Sequence, residues 1–323
     1  MIRWLLRRSV DALATALVAV VLLVILVHLL PGDPLTVILG DRDADPVTRA
    51  ALNASWGTDQ PLYSAVGSYL MALARGDFGI AMSEHRPVTT VLLERLGPTL
   101  LLGSLTLLID FTLGLALGLW SALHPESWRS RLLDGLTVIG YALPSFVLGM
   151  VLVSLFALRP PWLPPAGLAD QTLPLDAPMA TMWLDRLRHL VLPLATMVIA
   201  TIAVPLRQQR SAARVTAAQP WVLAARARGV SPAAVAWRHC WRPALSPIVT
   251  LLGLWLPMLV GGAVFVEMLF NWPGIGSLIA QATDNRDIPL VLGAGVLLIV
   301  MVQAGSLLAD VLYRVVDPTQ RDQ

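Results

Sequence analysis

Two acidic residues lie inside long apolar runs, Asp110 and Glu267. An ionisable group at membrane depth is a functional candidate by default, because leaving it in hydrocarbon is costly. A carboxylate facing a cavity would attract a cationic group. The bland alternative for Asp110 is a polar contact between helices. For Glu267 it is a structural hydrogen bond to the turn Asn271-Trp272-Pro273-Gly274. Other chemistry is poorly provided for. All 23 basic residues are Arg, so a P-loop lysine, a Schiff-base lysine and a kinase-type lysine are excluded. A single cysteine, Cys240, can form neither an internal disulfide nor a Cys-rich zinc site. The five histidines (His28, His85, His124, His189, His239) fall far apart, with no His-x-x-x-His pair and no predicted metal site. Ser145 and these histidines make no dyad for an intramembrane protease, and no catalytic residue is predicted. His28 reads as a wetted span end, and Asp310 as the partner of Arg314, four residues on.

The elements that must position Asp110 and Glu267 are membrane spans. Of the 323 residues 56% are hydrophobic and 14% charged, with a mean hydropathy of +0.69. A soluble chain carries about 25% charged residues. A net charge of +2 gives no support to nucleic-acid binding. Crossing the hydrocarbon takes roughly 20 apolar residues. Six stretches qualify: about Ala12–Leu30, Pro98–Leu123, Leu132–Leu158, His189–Leu206, Ala244–Phe270 and Pro289–Tyr313. The first is too long for a cleaved signal peptide and lacks a small-x-small site, so it reads as a signal anchor. Pro144, Pro193 and Pro257 fall inside spans, where neighbouring helices can satisfy the freed carbonyls. The N-terminus, the 2–3 loop, the 4–5 loop and the C-tail hold 14 Arg, against 9 Arg and 13 acids in the other loops. The positive-inside rule therefore puts both termini in the cytoplasm. Outside lies a long polar loop, 31–97, with an apolar-periodic helix over about Leu62–Ala74. A second external stretch, 159–188, is proline-rich and predicted irregular. The fold class is an all-α integral membrane protein. Its parts are a first span with its external loop (1–97), a core of five spans (98–313) and a short tail (314–323).

The cytoplasmic segment 207–245 has seven Arg and no acid. Within it, Pro220 suits a first helical turn and Gly229 the position past a helix end. Between them Trp221-Val222-Leu223-Ala224-Ala225-Arg226-Ala227-Arg228 predicts about two turns of helix. Ser231-Pro232 then starts another helix. Two turns are unstable alone in water, so this helix must dock. It rests on its own membrane domain or, with small alanines and Trp221 as anchor, against a partner. Arg226 and Arg228 also read as inside-positive markers at lipid headgroups.

This segment resembles the coupling motif of bacterial ABC-importer membrane subunits, and most closely the dipeptide/oligopeptide/nickel permease family. The resemblance continues through Arg238-His239-Cys240-Trp241-Arg242-Pro243-Ala244-Leu245, Gly261-Gly262-Ala263-Val264-Phe265-Val266-Glu267 and Phe270-Asn271-Trp272-Pro273-Gly274-Ile275-Gly276. Further blocks are Asn285-Arg286-Asp287, Asp310-Val311-Leu312-Tyr313, His28-Leu29-Leu30-Pro31-Gly32-Asp33-Pro34, Arg75-Gly76-Asp77-Phe78-Gly79, Arg86-Pro87-Val88 and Ala142-Leu143-Pro144-Ser145-Phe146. It covers essentially the whole chain. Leu223 replaces the acid of the general motif, Arg228 replaces the family's lysine, and Asp110 stands where an apolar residue is expected.

The resemblance implies a type I ABC-importer membrane fold in the inner membrane, and a non-catalytic permease subunit. The implied partners are a second permease subunit, two ATP-binding cassette subunits, an extracytoplasmic substrate-binding protein and membrane lipid. ATP and Mg would sit on the cassettes, with no cofactor on this chain. Coupling to the ATPases would fall to Trp221, Leu223, Ala224, Ala225, Arg226, Ala227, Arg228 and Gly229. The implied cargo is a di- or oligopeptide, whose ammonium terminus Asp110 or Glu267 could attract; nickel or a metal chelate is the alternative. An ion-coupled secondary transporter would want internal repeats and paired midplane charges, which this sequence lacks.

Overall fold

The computed structural model describes residues 2–29, 61–174, 176–245, 247–248, 251–252, 255 and 263–316. They are almost wholly helical, as lipid requires of a chain whose backbone groups must be satisfied internally. The helices are α1 (Ile2–His28), α2 (Leu62–Ala74), α3 (Val88–Ile109), α4 (Leu115–Leu123), α5 (Trp128–Ala142), α6 (Ser145–Val153), α7 (Met179–Thr201) and α8 (Ala203–Ala217). There follow α9 (Pro220–Ala227), α10 (Pro232–Ala234), α11 (Arg242–Ala244), α12 (Val264–Leu269), α13 (Ile275–Asp284) and α14 (Ile288–Val316). A two-residue hairpin pairs β1 (Ile80–Ala81) with β2 (Arg86–Pro87).

Among the described residues three helical stretches are long and apolar enough to cross a membrane: Leu6–His28, Val88–Leu123 and Ile288–Val311. Two bent pairs raise the number to five, α5 with α6 and its extension to Leu158, and α7 with α8. Of the predicted span Ala244–Phe270, 12 of the 27 residues, including all of 256–262, lie outside the described residues. The expected helix over Leu62–Ala74 is present as α2. Other expectations need correction. The helix that carries the second predicted span begins ten residues ahead of it, at Val88, with Pro98 inside the helix. The third is broken: α5 and α6 meet at 108°. Leu143, the residue before Pro144, is extended (φ −81°, ψ 135°), as the proline ring demands. The proline-rich stretch ends at Pro178, and α7 is helical from Met179. The segment 207–245 also starts as helix, since α8 runs to Ala217.

The chain divides into two compact units. In the first, residues 1–97 and 274–304, α1 packs Val20 and Val24 on Leu292 and Val296 of α14, with α2 beside them. A Cβ on Gly295 would stand 2.5 Å from the end of the Leu23 side chain, which would have to shift to admit it. A second cluster joins Ala81, Val88, Val91 and Leu92 to Ile275, Leu278, Leu290 and Ala294. Asp287 ties the hairpin down: one oxygen accepts from the Ser83 N–H (2.8 Å) and hydroxyl (2.7 Å), while the other accepts the Leu290 N–H at the start of α14. Most of α1 exposes apolar side chains, among them Leu6, Val10, Leu13 and Leu17.

The second unit, residues 98–273 and 305–323, has two separate apolar clusters. One joins Leu102 of α3 to Leu190, Leu192 and Met197 of α7, and to Trp255, Val266, Phe270 and Trp272. The other joins Leu119 and Ala122 of α4 to Ala213 of α8, Val222 of α9, Val235, Cys240 and Ala244. Between them, along both long helix pairs, the backbone is irregular.

Candidate functional site

The segment 219–245 begins with Gln219 extended (φ −72°, ψ 145°) and Pro220 at the first turn of α9. The helix closes as its composition predicts. Gly229 adopts φ +77°, its N–H bonds the Arg226 carbonyl at 3.0 Å, and the Val230 N–H reaches back to Ala225 at 3.2 Å. This pair of bonds satisfies the last carbonyls. A Cβ at Gly229 would meet nothing within 4 Å among the described residues, so the glycine is demanded by backbone conformation. Ser231 caps the next helix, accepting from the Ala234 N–H.

Of the residues proposed from sequence, Trp221 and Leu223 are each 52% exposed. Ala224, Arg226, Ala227, Arg228 and Gly229 are exposed as well. Ala225 is the exception. It is 0% exposed, and with Val222 it forms the inward stripe of α9. Its place is therefore under the helix, seating it on the membrane domain. Trp237, not singled out from sequence, is also exposed and tilts against Trp241 at 5.1 Å. Cys240 is buried behind this surface, and burial pushes its thiol pKa up despite nearby Arg226. A thiol in such a setting is unreactive. The result is a cationic, alanine-rich face with exposed indole and leucine side chains, fixed from behind by an apolar cluster.

The two carboxylates are placed apart from this face, and both are 0% exposed. Glu267 on α12 accepts the Thr99 hydroxyl at 2.7 Å. Its backbone carbonyl accepts the Trp272 N–H at 2.8 Å, and the Trp272 indole donates to the Pro98 carbonyl at 3.0 Å. Asn271 takes φ +46° to make that turn. Asp110 opens a π-helical turn, Asp110–Gly114, between α3 and α4. Its Oδ2 lies 2.6 Å from the Thr201 hydroxyl, at the end of α7. Both carboxylates thus contact neighbouring helices.

An open cleft of about 560 Å³ lies over Ala157, Trp162, Asp170, Asp185, His189 and Asn271. Its loop is stitched down by Gly167 N–H to Phe270 carbonyl (2.7 Å), Asp170 N–H to Asp185 (2.8 Å) and Arg188 to the Trp162 carbonyl (3.1 Å). Asp170 accepts both the N–H and the hydroxyl of Thr172, which hold its carboxyl below the usual range. Among the described residues no three His, Cys, Asp or Glu side chains gather into a metal-holding group.

Comparison with known proteins gives a consistent result. Residues 114–322 match the family described as the binding-protein-dependent transport system inner membrane component. Over 321 residues, 99% of each chain, the sequence is 34% identical to the glutathione transport system permease protein GsiC of Salmonella typhimurium. It is 33% identical, with the same coverage, to GsiC of Escherichia coli strain K12.

Proposed function

We propose a function from the premise that the chain belongs to the inner-membrane components of binding-protein-dependent transport systems. It is a permease subunit of an ABC importer of the peptide type. Beyond this, our reading is that it spans the membrane six times with both termini cytoplasmic. It pairs with a second, homologous permease subunit and receives cargo from an extracytoplasmic binding protein. Two cassette ATPases drive it, and ATP and Mg belong to them; the chain itself holds no cofactor and catalyses no reaction.

The observation that carries this reading is the division of α9 into two faces. Val222 and Ala225 are buried, whereas Trp221, Leu223 and Arg226 are exposed. A two-turn helix so anchored moves with the membrane domain, and its exposed face is free to sit in a cleft of an ATPase subunit. Motion of that subunit then reaches α8 directly through the short turn at Ala218–Gln219. A small peptide is the favoured cargo, because the relatives transport glutathione, itself a peptide. The test is uptake of a labelled tripeptide and, separately, nickel in cells with and without this chain. Loss of peptide uptake is expected. Loss of nickel uptake alone would overturn the cargo, and retention of both would remove peptide and nickel alike.

A further inference from the structure

Two backbone irregularities face each other inside the second unit. The first is the π-helical turn Asp110–Gly114. Such turns recur at functional sites, and here the Thr112 hydroxyl bonds back to the Leu108 carbonyl at 2.5 Å. The second is the 40° bend between α7 and α8. Its cause is Pro205, which has no N–H to give to the carbonyl of Thr201 and whose ring crowds that carbonyl. One side-chain hydrogen bond joins the two, Thr201 to Asp110.

On one side of this point, α3 and α7 share the cluster around Leu102 and Met197. On the other, α4 and α8 share the cluster around Leu119 and Ala213. There they are locked together. A Cβ on Gly118 would collide with the Leu206 carbonyl, and α5 is tied in by Arg210–Asp134 and Ser121–Ser130. The joint itself is less settled. The Thr201 hydroxyl is 2.6 Å from Asp110 and 2.7 Å from the Met197 carbonyl, and its single proton can serve only one. Among the described residues, Asp110 Oδ1 is a buried acceptor without a donor and Trp255 Nε1 a buried donor without an acceptor. They belong to side chains near enough to interact. Buried polar groups are rarely left unmatched, and a small rotation of one helix would join this pair.

We propose that Asp110 and Thr201 are positioning residues that pin a hinge. About it α4, α8 and the attached α9 swing as one lever against α3, α7 and α12, while α5, tied to the lever at Ser130 and Asp134 and packed on α7 where Gly140 meets Ile199, pivots beside the joint. The bond from Thr201 and the contact with Trp255 are the two holds between which Asp110 exchanges. This rests on the transport reading above and names the place where motion of α9 enters the membrane-spanning helices. The lever is long: α8 extends about 22 Å at 1.5 Å per residue, so a turn of about 10° carries its far end through about 4 Å.

The test uses the assembled transporter in proteoliposomes, with Cys240→Ala and spin labels at two exposed sites, Trp183→Cys on α7 and Val215→Cys on α8. The labels stand about 27 Å and about 21 Å along the two arms from a 40° bend, so their separation is expected to change by about 1.5 Å per 10° of swing between the nucleotide-free and ATP-trapped states. A pair on the lever side, Leu132→Cys between the two ties of α5 and Val215→Cys on α8, is expected to stay fixed. Thr201→Val is expected to lower uptake about tenfold, within the usual range of coupling strengths, while ATP hydrolysis continues. Thr201→Ser is expected to restore uptake. Equal separations in both states, or a change within the lever-side pair as large as across the hinge, would overturn the hinge. So would full coupling in Thr201→Val. The label pairs leave residues 110 and 201 untouched and decide even where Thr201→Val fails to fold. Absence of ATP-driven uptake by the unaltered complex overturns the functional reading and the hinge with it.

Discussion

The close contact of α4 with α8 is open to a one-carbon test. Gly118→Ala adds a methyl group that would overlap the Leu206 carbonyl oxygen and stand 3.0 Å from Gln209 Cβ and 3.2 Å from the Arg210 nitrogen. Two of these are backbone atoms and the third, Gln209 Cβ, lies next to backbone, so no flexible side-chain tip can yield. The helices must separate by several tenths of an ångström. A gap of about 0.5–1 Å already forfeits a quarter to a half of each dispersion contact. Overpacking of this kind costs about 1–3 kcal/mol. Against it stands the gain of about 0.5–1 kcal/mol from replacing a helical glycine by alanine. Gly135→Ala on α5 isolates that second effect, since its Cβ would meet nothing within 4 Å among the described residues. The difference between the two variants is then the overpacking alone. At about 2–4 °C per kcal/mol for a chain of a few hundred residues, Gly118→Ala should melt about 2–12 °C below Gly135→Ala. Thermal unfolding in detergent, followed by tryptophan fluorescence, measures it. If the two melt together, or Gly118→Ala melts higher, the packing argument is refuted.

Leu223→Arg should leave expression intact but reduce uptake about tenfold, since it replaces an exposed apolar contact of α9 by a further positive charge, whereas Ala225→Asp should reduce folded yield by burying a charge; uptake and detergent-soluble yield separate the two. A bulky residue at Gly229 should uncouple ATP hydrolysis from transport by straining the turn, which paired ATPase and uptake assays read. Asp287→Ala should cost about 1–3 kcal/mol through the bonds to Ser83 and Leu290, seen as faster hydrogen exchange over residues 80–87. Asp170 is held below its ordinary value near about 4, so what it contributes to its loop is complete above that value and is lost as pH falls through the lowered one. Thr172→Val removes one of the bonds, raises the folded value towards the ordinary one, and should mobilise a spin label at the exposed Gln171→Cys at a higher pH than in the parent.

The segment most legible in the sequence was α9, because its boundaries are written in residues with narrow backbone tolerance. Pro220 can begin a helix, Gly229 can take φ +77°, and Ser231 can cap. The α2 helix was legible from periodicity. What composition cannot convey is which face of so short a helix is covered, and hence the inward turn of Ala225, set by long-range packing. The bend at Ile202 did have a signal, Pro205, although a run of apolar residues through Leu206 masks it as one straight span. The π-helical turn had none: Asp110, Thr112 and Gly114 look like ordinary interruptions until the bend of a distant helix faces them. Pro144 was noted, but the size of the break it permits, 108°, follows from neighbours rather than from the proline.

The fit of Leu23 over Gly295 has a meaning for biosynthesis. The knob is made early and its socket roughly 270 residues later, which at about 5–20 residues per second is a delay of about 15–50 s. During that interval the first helix stands in lipid with its final neighbour not yet synthesised, so it must be stable in the bilayer on its own apolarity. A truncation before α14 would therefore be expected to leave α1 inserted without its partner, exposing its Val20, Leu23 and Val24 face to whatever quality-control protease patrols the membrane.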